Sequence, residues 1–130
     1  MYNDHLEEKV LCPQRKEEML INEFLARFGM NVNQASEYTV ALLHHEQVVA
    51  TGSLAGDQLC SIAVAPEHRG KGLLAKVVTN LIRESSRRGY YRYFVVTEPH
   101  AEKYFLSLGF SKLETVKSYN SLLALGLELD

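Results

Sequence analysis

The sequence has few of the features that mark secreted, metal-binding or membrane proteins. It contains only two cysteines, Cys12 and Cys60, which lie far apart and fit no CxxC or metal-ligand spacing. No charged N-terminal segment precedes an apolar stretch, and no apolar run is long enough to span a bilayer. We therefore expect reduced thiols, no bound metal, no membrane association and a cytoplasmic location.

Length and overall charge are those of a small globular domain. The chain has 130 residues, of which 46% are hydrophobic and 23% charged, and a formal net charge of −2. A chain of this length can bury its own core, so we expect a single domain over residues 1–130. The small negative charge gives no general attraction to nucleic acid, and we expect no nucleic-acid partner.

Basic residues are concentrated in one segment, between positions 69 and 92. The only acidic residue in this segment is Glu84. Its basic residues are Arg69, Lys71, Lys76, Arg83, Arg87, Arg88 and Arg92. A local basic cluster in a mildly acidic protein indicates a compact anionic ligand rather than a long polyanion.

Hydrophobic periodicity predicts a succession of strands and helices. Strands are predicted at Glu8–Cys12, 38–44, 48–54, 59–64 and 91–96, with two more between 110 and 129, and helices at 15–28, 72–88 and 100–108. The strand–helix–strand unit at 58–96 requires a parallel pair with a right-handed crossover, whereas the hairpins make the other pairs antiparallel. The predicted fold is α/β, a mixed and mostly antiparallel sheet with one parallel βαβ pair and helices on both faces.

The two longer predicted helices are amphipathic. The apolar face of the first contains Met19, Leu20, Phe24, Leu25 and Phe28. The apolar face of the second contains Leu73, Leu74, Val77, Val78, Leu81 and Ile82, and its polar face contains Lys76, Asn80, Arg83 and Arg87. We interpret the group Arg83, Arg87, Arg88 and Arg92 as a solvated helix face, or as a contact for an outer phosphate or an acidic carrier protein. Gly89 is predicted to cap this helix.

Residues 61–75 carry the strongest chemical signal, because they run from a strand through a glycine-rich turn directly into a helix. Gly70 and Gly72 allow a left-handed backbone and a close approach of a ligand. The amides and the dipole at the helix start attract an anion, and Arg69 and Lys71 add positive charge. This combination predicts a pyrophosphate site, the alternative being a plain βα turn that contains two glycines.

Residues 64–74, Val-Ala-Pro-Glu-His-Arg-Gly-Lys-Gly-Leu-Leu, resemble the acyl-CoA signature R/Q-x-x-G-x-G/A of the GNAT superfamily. The later Leu-Gly-Phe at 108–110 is similar to another feature of that family. The resemblance implies a GNAT fold with two parallel strands that splay apart, and acetyl-CoA or coenzyme A lying between them. It implies that pantetheine binds backbone groups of Ile62, Ala63 and Val64, and that the pyrophosphate binds the amides of Arg69, Gly70, Lys71, Gly72, Leu73 and Leu74.

The same resemblance implies transfer of an acetyl group to an amine, but the chain departs from the family pattern in two places. Leu74 stands where the signature ends in glycine or alanine, and Phe105 stands where many members have a tyrosine that protonates the leaving thiolate. The neighbouring Tyr104 is the candidate acid, with packing as its alternative role. Glu98 is the candidate base for the amine, with a structural role as a helix N-terminal acid as the alternative.

Over nearly the whole chain, the order of features is similar to that in the N-terminal domain of citrate lyase ligase. Those features include Ala-Thr-Gly-Ser-Leu-Ala-Gly at 50–56, Val-Thr-Glu-Pro at 96–99 and the acyl-CoA signature itself. That family acetylates the acyl carrier subunit of citrate lyase with ATP and acetate, and the carrier's prosthetic group derives from dephospho-CoA. The H-x-G-H motif of the family's nucleotidyltransferase domain is absent from this sequence. The chain is therefore that family's first domain or a free-standing relative.

Three functional hypotheses follow from these resemblances. The chain is an N-acetyltransferase for a small-molecule amine, a module that recognises the dephospho-CoA-type group of an acyl carrier protein, or a CoA-sensing regulator without turnover. Phe105 favours the second hypothesis because it has no proton to donate.

The histidines do not predict a metal site. His44 and His45 are expected to be consecutive strand residues that point to opposite faces, which would prevent them from chelating one ion. His68 lies in the predicted phosphate turn, either as a ligand contact or as a solvated loop residue.

Overall fold

A computed structural model describes residues 6–11, 15–31, 36–97, 101–112 and 123–128. The strands are β1 (Leu6–Leu11), β2 (Tyr38–His44), β3 (Gln47–Ala55), β4 (Gln58–Val64), β5 (Arg92–Thr97), β6 (Ser111–Lys112) and β7 (Leu123–Glu128). The helices are α1 (Arg15–Ala26), α2 (Leu73–Arg87) and α3 (Glu102–Ser107), and a 3-10 turn at Pro66–His68 precedes α2. Each predicted element is present, with ends that differ by one to two residues in most cases.

The strands form one mixed sheet in the order β1-β2-β3-β4-β5-β7-β6. Neighbouring strands are antiparallel except for β4 and β5, which are parallel and joined through α2. The predicted mixed α/β sheet with one parallel βαβ pair is therefore confirmed.

The parallel pair is short. Gln58 pairs with Phe94 and Leu59 with Val95, and within the described residues β4 has no register partner in β5 beyond Leu59. On its other edge β4 remains paired with β3 as far as Val64. The two parallel strands therefore separate towards their carboxyl ends, as the GNAT resemblance implies.

The turn between β2 and β3 contains two residues, not the three that were predicted. His45 and Glu46 both have a left-handed backbone, with φ of 50° and 65°, and Gln47 already pairs with His44. Two-residue turns of this kind match the right-handed twist of the flanking strands. The predicted link that included Gln47 was wrong because the turn closes one residue earlier.

Helix α1 buries a narrower stripe than its sequence predicts. Ile21, Phe24 and Leu25 are buried, whereas Met19 is 63% exposed and Leu20 is 41% exposed. At 100° per residue, Met19 lies on the side of the helix opposite to this stripe, and Leu20 lies at its rim. The assignment of these two side chains to the apolar face was therefore wrong.

Helix α2 follows its predicted pattern closely. Its buried stripe consists of Leu73, Val77, Val78, Leu81 and Ser85. The helix ends in a Schellman motif, in which the amides of Gly89 and Tyr90 donate to the carbonyls of Ser86 and Ser85. Gly89 has a φ of 93°, which confirms its predicted capping role.

Strand β3 forms the centre of the core. Six consecutive residues, from Val49 to Leu54, are buried. Because successive side chains point to opposite faces of a sheet, continuous burial requires that both faces are covered. Both α1 and α2 pack against this strand. This arrangement leaves the carboxyl end of β4 and the start of α2 at the edge of the core, where the candidate site lies.

Candidate functional site

The site begins where β4 leads through a tight turn into α2. Gly70 and Gly72 have φ of 79° and 80°, a left-handed conformation that favours glycine. Gly72 is the N-cap of α2 and has no side-chain capping hydrogen bond, and the first intrahelical bond runs from the Lys76 amide to the Gly72 carbonyl. The amides at positions 73–75 therefore have no intrahelical acceptor, as is usual for a first turn. This geometry is suited to an anion.

Not every amide in the predicted pyrophosphate set is available. The Arg69 amide donates to the Pro66 carbonyl at 3.3 Å, and the His68 amide donates to the Ala65 carbonyl at 2.9 Å. These amides thus donate hydrogen bonds within the 3-10 turn, which leads the chain to Gly70. The Arg69 amide already has an acceptor within the turn, so its role at the pyrophosphate stays a prediction, and the Arg69 side chain is the group more readily available to an anion.

Strand β4 contains a bulge in front of this turn. Cys60 pairs with Ser53 and Ala63 with Thr51, so two residues of β4, Ser61 and Ile62, lie opposite one residue of β3. Ser61 has a left-handed backbone with a φ of 52°. The Thr51 hydroxyl donates to the Ser61 carbonyl at 2.9 Å and stabilises this conformation. No sequence signal indicates the bulge, since serine is not a typical left-handed residue.

The ladder beyond the bulge determines which peptide groups face the open edge of β4. The Ala65 amide donates to the Val49 carbonyl at 2.8 Å. Because bonded and non-bonded pairs alternate in an antiparallel ladder, the peptide groups of Ala63 also point to β3. Those of Ile62 and Val64 point to the opposite edge, where β5 has separated. Of the three residues predicted to bind pantetheine, Ile62 and Val64 therefore have peptide groups that face the gap, whereas the peptide groups of Ala63 point to β3.

A cavity of about 490 Å³ lies along this edge. This volume is typical of small-molecule sites. Its lining includes all of β4 and nine of the predicted site residues, namely Ile62, Ala63, Val64, Arg69, Gly70, Gly72, Leu73, Leu74 and Tyr104. Lys71 is exposed and is not among the described residues that line the cavity. Glu98 lies outside the described residues.

Tyr104 and Phe105 form the wall contributed by α3. Phe105 is fully buried and packs edge-to-face against Phe110, with ring centroids 5.3 Å apart. Tyr104 is half-buried and lines the cavity, and its burial raises the pKa of its hydroxyl. A higher pKa keeps the hydroxyl protonated at neutral pH, so Tyr104 can donate a proton into the cavity whereas Phe105 cannot.

The chain segment after α1 forms a further wall that sequence reasoning did not assign to the site. Phe28 and Met30 line the cavity. The Arg27 guanidinium lies 5.8 Å from the centroid of the Phe28 ring and donates to both carboxylate oxygens of Glu67 at 3.3 Å. The pKa of Glu67 lies below its usual range because its own backbone amide donates to the carboxylate, with a further contribution from Arg27. This bridge joins residues 40 positions apart, and no local pattern predicts it.

Three histidines lie closer together than predicted. The ring centroids of His44 and His45 are 4.1 Å apart, and those of His44 and His68 are 5.3 Å apart. The prediction that His44 and His45 point to opposite faces was wrong, because His45 belongs to the turn and not to a strand. Among the described residues, no group of three or more His, Cys, Asp or Glu side chains is arranged to hold a metal ion.

The basic face of α2 is only partly available to an anionic partner. Arg87 and Arg88 both bind the Glu84 carboxylate, and Arg88 also binds Glu37 at 3.3 Å. Asn80, predicted to be on the polar face, is half-buried and accepts a hydrogen bond of 2.6 Å from the Tyr38 hydroxyl. A shallow groove of about 320 Å³ along this face is lined by Ala75, Lys76, Thr79, Asn80 and Arg83.

Cys60 lines the cavity on β4 and, within the described residues, is not disulfide-bonded. Its sulfur lies 3.8 Å from the Ser36 hydroxyl and 3.8 Å from the Ser53 carbonyl. Cys12 lies outside the described residues. In the part of the chain with a described structure, no helix is both long and apolar enough to cross a bilayer.

Comparison with solved structures shows that other proteins share this fold. Escherichia coli ElaA superposes with a TM-score of 0.81 at 10% identity, over 95% of this chain and 99% of that one. The N-acetylglutamate synthase from Neisseria gonorrhoeae, solved with coenzyme A and N-acetyl-glutamate, superposes with a TM-score of 0.69 at 15% identity. The superposition covers 96% of this chain and 35% of that one.

Comparison of the sequence with known proteins identifies relatives of higher sequence identity and the family of this chain. The [citrate [pro-3S]-lyase] ligase of Escherichia coli is 27% identical over 116 residues, which are 89% of this chain but 33% of that protein. The chain thus spans about a third of the length of the curated relatives that it matches. The sequence profile of the acetyltransferase (GNAT) family matches residues 1–110. Together with the splayed parallel strands and the glycine-rich start of α2, this match shows that the chain belongs to the GNAT family.

Proposed function

We propose that this chain binds acetyl-CoA in the cavity beside β4 and transfers the acetyl group to an amine. The observation that carries the proposal is the open edge of β4, which lines a cavity of about 490 Å³ that extends to the uncapped start of α2. An extended polar arm that ends in a diphosphate matches this combination of an unpaired strand edge and an anion site. The N-acetylglutamate synthase with the same fold was solved with coenzyme A.

The two parts of the ligand have different partners in this proposal. The diphosphate accepts hydrogen bonds from the amides at positions 70–74, and the Arg69 side chain adds a charge-assisted contact. The pantetheine arm lies along β4 and pairs with the peptide groups of Ile62 and Val64, which face the gap between the parallel strands. This arrangement places the thioester near the bulge at Ser61 and the apolar walls of the cavity.

The chemistry follows from proximity and charge stabilisation. The amine nitrogen attacks the thioester carbonyl carbon, the carbonyl oxygen gains negative charge, and a strand-edge amide near Val64 stabilises it. The carbon–sulfur bond then breaks, and the thiolate takes the proton of the Tyr104 hydroxyl, which lines the cavity. Glu98 remains the predicted base that removes a proton from the amine.

A second candidate function is recognition without transfer. In this alternative, the cavity holds the dephospho-CoA-type group of an acyl carrier protein, and another domain performs the chemistry. Two observations favour it. The chain is similar to a [citrate [pro-3S]-lyase] ligase over 89% of its length. The fully buried Phe105 stands where many members of the family have the tyrosine that acts as a general acid.

One set of measurements separates these functions. Acetyl-CoA binding is measured by calorimetry, and CoA release is then followed with a panel of amines and with the acyl carrier subunit of citrate lyase. Binding with release on an amine supports the transferase. Binding of acetyl-CoA and of the carrier's prosthetic group, without release on any amine, supports the recognition module. The absence of heat with every coenzyme A species would reject both.

A further inference from the structure

Three imidazoles form a row that leads from the β2–β3 turn to the cavity. His45 lies in the turn, the His44 ring packs against it at 4.1 Å between centroids, and the His68 ring packs against His44 at 5.3 Å. Of the three, His68 lines the cavity, together with Arg69 and Gly70 of the phosphate turn. The row therefore ends at the anion-binding end of the cavity.

Both the backbone and the ring of His68 are held in place. Its amide donates to the Ala65 carbonyl at 2.9 Å, which fixes the end of the 3-10 turn. Its half-buried ring is restrained on one side by the edge-to-face contact with His44. A side chain fixed at both points is preorganised for a ligand and loses little conformational entropy on binding.

Both basic and acidic side chains lie around His68. Arg69 follows it in the chain, and His44 of the β2–β3 hairpin packs against it, with His45 on the far side of His44. Among the described residues, the carboxylate of Glu67 lies nearby and already binds Arg27, which follows α1. A diphosphate placed beside this turn would add negative charge and favour the imidazolium form.

We propose that His68 is a further ligand-binding residue, whose imidazolium contacts the diphosphate of the coenzyme A group, so that ligand binding takes up a proton. His44 acts as a positioning residue that directs the ring of His68 into the cavity. This inference rests on the proposed binding of a coenzyme A group. It adds a pH dependence, because imidazole is the side chain that titrates near neutrality.

The experiment measures the linkage directly. Dephospho-CoA is titrated into the protein at about pH 6 and about pH 7.5, in two buffers with different ionisation enthalpies at each pH. Dephospho-CoA is used because it lacks the phosphate monoester of CoA, whose own titration near pH 6 would obscure the result. We expect about fivefold tighter binding at the lower pH and a heat that depends on the buffer, which reports proton uptake.

Three variants identify the proton acceptor. His68→Gln is expected to abolish the proton uptake and to leave an affinity that does not change with pH. His44→Gln is expected to reduce the proton uptake and to weaken the dependence of the affinity on pH, because the ring of His68 is then less well positioned. His45→Asn, which suits the left-handed turn position and lies one ring away from the cavity, is the matched control and is expected to retain both effects.

The possible results separate this inference from the proposed function. If wild type binds dephospho-CoA without proton uptake, or if His68→Gln retains the uptake, the role of His68 is wrong although the cavity still binds the ligand. If wild type gives no heat with dephospho-CoA or CoA at either pH, the proposed function itself is wrong.

Discussion

Val77 of α2 lies directly over Gly52 of β3, with no room for a side chain between them. A Cβ atom added to Gly52 would overlap Val77 Cγ1 and would lie 2.8 Å from Leu81 Cδ1. Helix α2 can therefore approach the sheet closely only because residue 52 is glycine. The contact lies opposite the bulge in β4, so it holds α2 and its glycine-rich start close to the candidate site.

We predict that Gly52→Ala destabilises the protein by about 1–3 kcal/mol, because the added methyl group overpacks the interface between β3 and α2. The change is measured as the free energy of unfolding in urea. Gly52→Ala is also expected to weaken acetyl-CoA binding, because α2 must move away from β4.

A double-mutant cycle with Val77→Ala tests the mechanism. Val77→Ala alone removes buried methyl groups and should destabilise the protein, but in the double variant the new methyl at position 52 has more room. We expect the combined loss of stability to be smaller than the sum of the single losses by about 0.5 kcal/mol or more. Strict additivity would show that steric overlap with Val77 is not the cause.

The left-handed backbone of Gly72 leads to a second prediction. Nothing lies within 4 Å of a Cβ built at this glycine, so a side chain would be strained by the backbone and not by its surroundings. We expect Gly72→Ala to cost about 1 kcal/mol of stability and to weaken acetyl-CoA binding as the turn relaxes. Gly72→Asn is the control, since asparagine tolerates this conformation and should lose less of both.

The third prediction concerns proton donation by Tyr104. Tyr104→Phe should lower kcat for amine acetylation by about 100-fold or more if the hydroxyl protonates the thiolate, and should leave acetyl-CoA affinity nearly unchanged. Tyr90→Phe, a change of the same kind outside the cavity lining, should leave kcat unchanged. An equal kcat for Tyr104→Phe and wild type would assign Tyr104 to packing.

The pH dependence of this step has a definite sign. Burial raises the pKa of Tyr104 above its ordinary value of 10, so the hydroxyl remains protonated through neutral pH. The tyrosine-dependent part of the rate should persist to pH 10 and disappear only as the pH rises through the elevated pKa. Its loss below neutrality would point to a different acid.

The fourth prediction uses the carboxylate of Glu84. Hydrogen bonds from Arg87 and Arg88 lower the pKa of Glu84 from 4.5 to about 2. A lowered pKa in the folded state contributes stability above pH 4.5, and this contribution is lost as the pH falls through about 2. Glu84→Gln should therefore reduce the loss of stability between these two pH values, measured as urea midpoints along a pH series.

The control for this prediction is Glu23→Gln, which changes an exposed carboxylate on α1. In this variant, the decrease in the free energy of unfolding at acidic pH should be close to that of wild type. If both variants follow the wild-type curve, the pair of arginines does not stabilise the ionised Glu84 carboxylate in the way that the structure indicates.

Local sequence patterns predicted most of the secondary structure because each depends on neighbouring residues. The stripe of α2, the cap at Gly89 and the strand at 38–44 follow from side-chain periodicity and glycine stereochemistry. The errors occurred where spacing alone was not decisive. Met19 and Leu20 are apolar and at helical spacing, but the sheet covers only the stripe that contains Ile21 and Leu25.

The candidate site was predictable only in part. The turn with Gly70 and Gly72 could be found because strand, glycines, cations and helix are contiguous in the sequence. The bulge at Ser61 and the wall made by Phe28 had no local signal, because both depend on contacts between residues that are distant in the chain.

By itself, the sequence determined the succession of strands and helices and the left-handed turn at the start of α2. It also determined that the strands form a mixed sheet covered by helices. These features depend mainly on interactions within a few residues. The tertiary structure decided which peptide groups of β4 face the gap, how the Arg27–Glu67 bridge and Phe28 border the cavity, and that His44 and His68 lie side by side. These features depend on strand register and on packing between elements, which bring together residues that no short segment of sequence relates.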